Sequence, residues 1–217
     1  YLKSFLIQYD HVIVSSDKFI QEDLAIGKTV ILPAINPFSL KNMELPPKTI
    51  LKYIKRVGIP TDKPILCQVS RLDPWKDPEG VLDVFTLVKE KIDCRLVFCY
   101  NIATDDPECI QMYDRVYQKA GKLVEKGDVL FILGNNDILV NAIQSFSKVI
   151  IQKSIREGFC LAVTEALWKA KPVVASQVGG IPAQIVNGET GYLLNPDDKA
   201  GFAERIVHLL QHPKEAQ

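Results

Sequence analysis

The chain has 217 residues, 47% of them hydrophobic and 24% charged, so it is long enough to bury a sizeable core as an ordinary globular protein. Its 26 basic and 26 acidic residues cancel, which argues against a partner held by net charge, such as nucleic acid or an acidic membrane surface. We see no signal peptide, and no apolar run approaches the roughly 20 residues that a membrane-spanning helix needs.

The first 45 residues predict a strand, a helix, a second strand and a linker. The run HVIVSS is typical of a strand, SDKFIQEDLAIG of a capped helix that ends at Gly27, and TVILPAI of another strand. NPFSLKNMELPPK is rich in Pro and Asn, which indicates a linker. We therefore expect a boundary near Leu45, between residues 1–45 and a domain of residues 46–217.

The rest of the chain alternates helices with short apolar strands. Helices are predicted over ILKYIKRVG, PEGVLDVFTLVKEKI, ECIQMYDRVYQKAGK, ILVNAIQSFS, FCLAVTEALWKA, IPAQIV and KAGFAERIVHLLQH. Strands are predicted over PILCQVS, CRLVFCY, VLFILG, KVIIQKS, PVVASQ and YLL. Strands that are apolar on both faces predict an α/β fold, a Rossmann-like doubly wound parallel sheet. In such a sheet, ligands bind at the carboxyl ends of the strands.

The five cysteines are odd in number, lack Cys-x-x-Cys spacing, and fall partly inside apolar runs. We interpret them as buried free thiols of a cytoplasmic protein rather than as disulfides or metal ligands. The three histidines are scattered along the chain, and we expect no zinc site. Because the sequence begins at Tyr1 without a methionine, we expect it to be a piece of a longer protein.

Two loops carry residues suited to a charged ligand. RLDPWKDPEG places Arg71 and Lys76 after a strand, where two cations would neutralise a diphosphate; the alternative is a solvated basic loop. IREGF opens a predicted helix whose free amides would bind an anion, and Gly158 would let a ligand approach the backbone. Glu157 and Glu165 would accept hydrogen bonds from sugar or ribose hydroxyls, although either glutamate alone would be unremarkable as a solvated residue.

Several common motifs are absent from the sequence. No Gly-x-Gly-x-x-Gly follows a strand, which argues against a nicotinamide or flavin dehydrogenase. The P-loop pattern and the Gly-x-Ser-x-Gly pattern are also missing, which excludes a P-loop NTPase and a serine hydrolase elbow. VGGIPAQIV, after the next strand, offers a second turn that suits an anion, and NGETG is interpreted as a structural turn.

Taken together, the motifs resemble the retaining glycosyltransferases of the GT-B fold, the group that includes sucrose, glycogen and trehalose synthases. The resemblance rests on SRLDPWK, REGFCLAVTEALWKAKPVVAS, GGIPAQIV and NGETGYLL, and on two glutamates separated by seven residues. PAINPFSLKN, DPWK, ATDDPE, VNAIQ and SIREGF look most similar to archaeal-type trehalose glycosyl-transferring synthases. The likeness covers nearly the whole chain.

The resemblance implies that residues 46–217 are the C-terminal, donor-binding half of a glucosyltransferase, and that residues 1–45 are the tail of an N-terminal acceptor domain plus the linker. The donor would be UDP-glucose or ADP-glucose and the acceptor a sugar, with glucose giving trehalose. The implied site has Arg71 and Lys76 on the diphosphate, Glu157 on the donor sugar, Glu165 on the ribose, and helix-start amides at Gly158, Phe159 and Cys160. Such enzymes usually need no metal and no other cofactor is implied, and this half alone would bind the donor weakly and not turn over. The sequence leaves the oligomeric state open, a homodimer included.

Three residues depart from the family pattern. Asp77 replaces a usual glycine and would weaken the diphosphate site, Tyr100 would crowd the base, and Cys160 replaces a small residue at the helix start. A low-pKa thiol at Cys160 is one alternative these changes suggest. Two alternatives to the donor half of a glucosyltransferase remain. One is a non-catalytic nucleotide-sugar-binding module of the same fold. The other is a GT-B epimerase, which the lack of a histidine at the sheet loops disfavours.

Overall fold

A computed structural model describes residues 2–101 and 107–215 of the chain. The strands are β1 (His11–Val14), β2 (Gly27–Val30), β3 (Ile65–Arg71), β4 (Arg95–Asn101), β5 (Val129–Leu133), β6 (Val149–Gln152), β7 (Val173–Ser176) and β8 (Tyr192–Leu194). The α-helices are α1 (Lys3–Leu6), α2 (Pro47–Arg56), α3 (Pro78–Lys89), α4 (Pro107–Ala120), α5 (Lys122–Glu125), α6 (Asp137–Phe146), α7 (Leu161–Trp168) and α8 (Lys199–Gln211). Short 3-10 turns cover Asp17–Phe19, Pro74–Lys76 and Ile181–Ala183.

Six of these strands form one parallel sheet in the order β5-β4-β3-β6-β7-β8. The strand order reverses between β3 and β6, which makes the carboxyl ends of these two strands the switch point of the sheet. The predicted doubly wound α/β fold is therefore confirmed, and the loops after β3 and β6 lie side by side.

The core lies on both faces of this sheet because the strands are apolar on both sides. On one face, Leu66 of β3 packs with residues of α3, α4 and α8. On the other face, Ile65 and Cys67 pack with residues of α2, α6 and α7. The alternation of neighbouring side chains along β3 thus fixes the two layers of helices.

The helix predicted over SDKFIQEDLAIG is wrong. The hydroxyl of Ser16 accepts a hydrogen bond from the Lys18 amide, but the chain leaves the 3-10 turn at Ile20, whose φ of −67° and ψ of 123° are extended. Within this segment only Leu24 is buried. A short helix needs an apolar face packed against a partner, and the pair of parallel strands β1 and β2 offers little surface for that.

Two further predictions concern the ends of elements. The helix predicted over ILKYIKRVG ends as expected, with Gly58 at a φ of +72° that favours glycine. The motif ATDDPE lies largely outside the described residues. Among the residues that are described, no helix combines the length and the apolar character that crossing a bilayer would require.

Candidate functional site

A cavity of about 530 Å³ opens at the carboxyl ends of the central strands. Residues from the ends of β3 and β4, from the start of α6 and from the loop before α7 line it, as predicted for this fold. The lining residues are Lys41, Val69, Ser70, Arg71, Lys76, Cys99, Tyr100, Asn101, Gly134, Asp137, Val140, Glu157, Cys160, Leu161 and Ala162.

The end of β3 and the loop after it place two cations, Arg71 and Lys76, at the edge of this cavity. Asp73 caps the 3-10 turn that ends at Lys76, because its carboxylate accepts a hydrogen bond of 3.1 Å from the Lys76 amide. The same buried carboxylate lies 3.2 Å from Nη2 of Arg71. From below, Nε2 of Gln68 donates to the Lys76 carbonyl at 2.8 Å. The loop is therefore fixed by its own polar groups, which sets the direction of both cationic side chains.

The loop after β6 brings Glu157 against Lys76. The Glu157 carboxylate and the Lys76 ammonium form a close ion pair, and both side chains are largely buried. Ser154 Oγ donates to Glu157 at 3.3 Å, and the Gly158 amide donates to the other carboxylate oxygen at 3.0 Å. Two residues that are 81 positions apart in the sequence thus meet across the switch point.

The Gly179–Gly180 turn supports this loop from behind. Gly180 donates its amide to the Gly158 carbonyl at 2.8 Å. Gly179 has a φ of +55°, and a Cβ atom built there would lie 1.9 Å from the Glu157 carbonyl oxygen. Only glycine fits so close an approach. The turn in VGGIPAQIV thus packs behind the loop that carries Glu157, and its use as another anion site stays a prediction.

Helix α7 begins at Leu161, two residues later than the predicted FCLAVTEALWKA. Cys160 occupies the N-cap position with a left-handed φ of 73°, and Phe159 before it is buried. Gly158 stands at an open place, since a Cβ atom there would meet no neighbouring atom within 4 Å. Burial, followed by the charge of Glu157, raises the pKa of the Cys160 thiol to about 12. The alternative of a low-pKa thiol is therefore wrong.

Glu165 is buried beneath the cavity wall. Its Oε1 lies 2.8 Å from Nζ of Lys41, and its Oε2 accepts a hydrogen bond of 3.3 Å from Gln144. Lys41 lines the cavity, and Glu165 lies behind it. Lys41 was not expected at the site because the surrounding segment has the composition of a linker. The similarity of PAINPFSLKN to trehalose synthases was the one signal in the sequence that pointed to this segment.

Asp77 does not disturb the site in the way the sequence suggested. Its carboxylate pairs with the buried Lys153 and accepts a hydrogen bond of 3.0 Å from the Gly80 amide, so its charge is neutralised below α3. Asp77 does not line the cavity. The expectation that Asp77 weakens the diphosphate site of Arg71 and Lys76 is therefore corrected.

The ring of Tyr100 packs against those of Tyr113 and Phe131, with centroids 5.5 and 6.4 Å away.

Comparison with known proteins relates the chain to one family. A profile of the family "Glycosyl transferases group 1" matches residues 50–217. A trehalose synthase of Thermococcus litoralis is 43% identical over 100% of this chain and 53% of that protein. The chain spans about half the length of the curated relatives it matches.

Solved structures share the fold. A sucrose-phosphate synthase of Thermosynechococcus elongatus superposes with a TM-score of 0.82 at 23% identity, covering 99% of this chain and 52% of that one. The Anabaena protein HepE, solved in complex with UDP-glucose, superposes with a TM-score of 0.78 at 21% identity, covering 95% of this chain and 56% of that one.

Proposed function

The chain belongs to the group 1 glycosyl transferases, and from that premise we propose that it is the donor-binding half of a retaining glucosyltransferase. The donor is a nucleotide-diphosphate glucose, UDP-glucose or ADP-glucose, and the acceptor is a sugar. With glucose as the acceptor, the product is trehalose. The 43% identity to a trehalose synthase supports this choice of acceptor.

The observation that carries the proposal is the contact between Lys76 and Glu157 at the switch point. Since the two groups touch, the ligand atoms that they bind must be neighbours. Lys76 and Arg71 suit the diphosphate, and Glu157 suits hydroxyls of the transferred sugar. The bond between the sugar carbon and the phosphate oxygen therefore lies at the pair, and the cations stabilise the charge that develops on the leaving diphosphate.

The remaining residues would hold the rest of the donor. The phosphates would lie against the backbone amides around Gly158, Phe159 and Cys160, just before α7. Glu165 would bind the ribose. Cationic side chains do the neutralising that a divalent metal does elsewhere, so the reaction would need neither a metal nor another cofactor. The buried free thiols of Cys67, Cys94, Cys99 and Cys160 support a reducing compartment, the cytoplasm.

The other half of the full-length protein would bind the acceptor across the cavity mouth. The chain covers 53% of its Thermococcus litoralis relative, so a comparable length of protein remains to supply that side. We expect the present chain to bind the donor weakly and not to turn over without it.

The test measures trehalose formation by the full-length protein and by its Arg71→Ala and Glu157→Ala variants. We expect each variant to lose at least about a hundredfold in kcat, because transition-state contacts are removed. Arg56→Ala and Glu204→Ala change exposed residues outside the cavity and serve as matched controls. Wild-type rates in both site variants would refute the proposal, and donor binding without any product would favour the non-catalytic module.

A further inference from the structure

The segment that carries Lys41 is held against α6 and α7 by partly buried hydrogen bonds. Nδ2 of Asn141, a fully buried residue of α6, donates to the carbonyls of Leu40 and Met43 at 3.0 and 2.8 Å. Nε1 of Trp168 donates to the Asn42 carbonyl at 3.1 Å. The backbone is thus held on both sides of Lys41, so the position of this side chain is built into the fold.

The side chain of Lys41 lies between the cavity and Glu165. Lys41 is 35% exposed, whereas the Glu165 side chain is 5% exposed, and their charged atoms are 2.8 Å apart. An ammonium has three N–H donors, and the ion pair with Glu165 occupies one of them. Any ligand that reaches Glu165 through the cavity must therefore meet Lys41.

The chemistry of this pair matches a vicinal diol. Each hydroxyl of a ribose can donate one hydrogen bond and accept others. A carboxylate accepts only, and an ammonium donates only, so the two together satisfy a hydroxyl that either one would leave partly unpaired. A buried site binds a polar ligand less tightly when hydrogen-bonding groups of the ligand or of the site stay unpaired.

We propose that Lys41 is a donor-recognising residue, supplied by the segment between the two halves, which donates a hydrogen bond to a ribose hydroxyl while Glu165 accepts one. This inference rests on the proposed function and adds Lys41 to it. It also explains why a segment of linker composition is tied so closely to α6 and α7: the tie holds a ligand contact in place.

The experiment is calorimetric titration of the full-length protein with UDP and ADP and with their 2′,3′-dideoxy counterparts. Lys41→Met keeps the length of the side chain and removes the charge; Lys52→Met, on an exposed position of α2, is the control. For the nucleotide that binds the wild type, Lys41→Met should weaken binding about tenfold or more, the range of a charge-assisted hydrogen bond. For its dideoxy counterpart the same substitution should change Kd less than about twofold.

An equal loss of affinity for both nucleotides would mean that Lys41 contacts the phosphates. Tighter binding by Lys41→Met would mean that the Lys41 side chain blocks access to Glu165. Either result overturns the inference. Lys41→Gln, which can still donate to Glu165, repeats the test should Lys41→Met fail to fold. If Arg71→Ala abolishes binding while both Lys41 variants bind normally, the inference fails and the proposed function stands. If the wild type binds neither nucleotide, both fail.

Discussion

Lys153, directly after β6, and Asp77, at the start of α3, form a close ion pair beneath the loop that carries Lys76. Lys153 is 2% exposed, and its ammonium lies 6.0 Å from the ring centroid of Phe202. Asp77 has a left-handed φ of 46° and caps α3 at the same time. A Cβ atom on Gly80 would lie 2.1 Å from the Asp77 carboxylate, so glycine is required beside the pair. The pair ties together the two loops that form the switch point.

The Asp77→Asn variant tests the charge of this pair. Asparagine tolerates the left-handed conformation and still caps a helix, so the substitution removes little besides the negative charge. A buried ammonium without its partner is strongly unfavourable, and we expect the free energy of unfolding to fall by about 3 kcal/mol. Urea denaturation followed by circular dichroism measures it.

The double variant Asp77→Asn/Lys153→Met should recover most of that loss, because no buried charge then remains. Lys199→Met breaks an ion pair with Asp83 that is partly exposed on both sides, and it should cost less than about 1 kcal/mol. If Asp77→Asn were as mild as this control, the pair would contribute little to the fold.

The Gly179→Ala variant tests the support of the loop that carries Glu157. The new methyl group would lie 1.9 Å from the Glu157 carbonyl oxygen at a left-handed φ, so the loop must move. We expect a loss of about 3 kcal/mol in stability and at least about tenfold in donor affinity. Gly188 also has a positive φ but has open space around it, so Gly188→Ala isolates the backbone strain, about 1 kcal/mol. Equal effects of the two substitutions would contradict the steric argument.

Cys160 should be nearly inert in the folded protein. Its pKa is raised from 9.0 to about 12, so at pH 8 roughly a thousandfold less thiolate is present than in an ordinary cysteine. Alkylation with iodoacetamide, followed by peptide mass spectrometry, should leave Cys160 unmodified in the native state and label it in urea. Rapid labelling of the native protein at pH 8 would restore the discarded alternative of a reactive thiol.

The order of elements after residue 46 was predictable because each strand is a continuous apolar run and each helix has apolar residues at helical spacing. The lack of a helix over SDKFIQEDLAIG was not predictable in this way, since the sequence shows the capping residue Ser16 but not that it caps only one 3-10 turn. A local cap starts a helix, but tertiary packing of an apolar face sustains it. Propensity and capping are visible in the sequence, whereas the partner face is not.

At the site, the sequence identified residues whose positions follow from topology. Arg71 ends β3, Glu157 follows β6, and the carboxyl ends of these two strands are neighbours at the switch point. Lys41 and Lys153 were missed because their roles arise from contacts across 124 and 76 positions, respectively. The sequence held one indication of the Lys41 contact, since PAINPFSLKN and VNAIQ were both similar to the family. The structure joins these two segments through the hydrogen bonds from Asn141 to the carbonyls of Leu40 and Met43.

Lys169 gives the protein a pH dependence that can be isolated. Its ammonium is half-buried and donates to Asn42 Oδ1 at 3.2 Å and to the Glu165 carbonyl at 3.3 Å. Burial lowers the pKa of Lys169 from 10.5 to about 8, and the charge of Glu165 only partly opposes this. Between pH 8 and pH 10.5 the unfolded chain therefore binds more protons at this position than the folded chain does.

Stability rises with pH wherever the unfolded state binds more protons, so Lys169 makes the fold more stable as pH increases through that window. The buried thiol of Cys99 and the half-buried phenol of Tyr100 act in the opposite direction, because burial raises the pKa of each. The difference between wild type and Lys169→Met cancels these contributions, since they are common to both proteins. We expect the stability of the wild type relative to the variant to increase from pH 7 to pH 10 in urea denaturation. A difference that stays flat over this range would mean that Lys169 keeps its ordinary pKa in the fold.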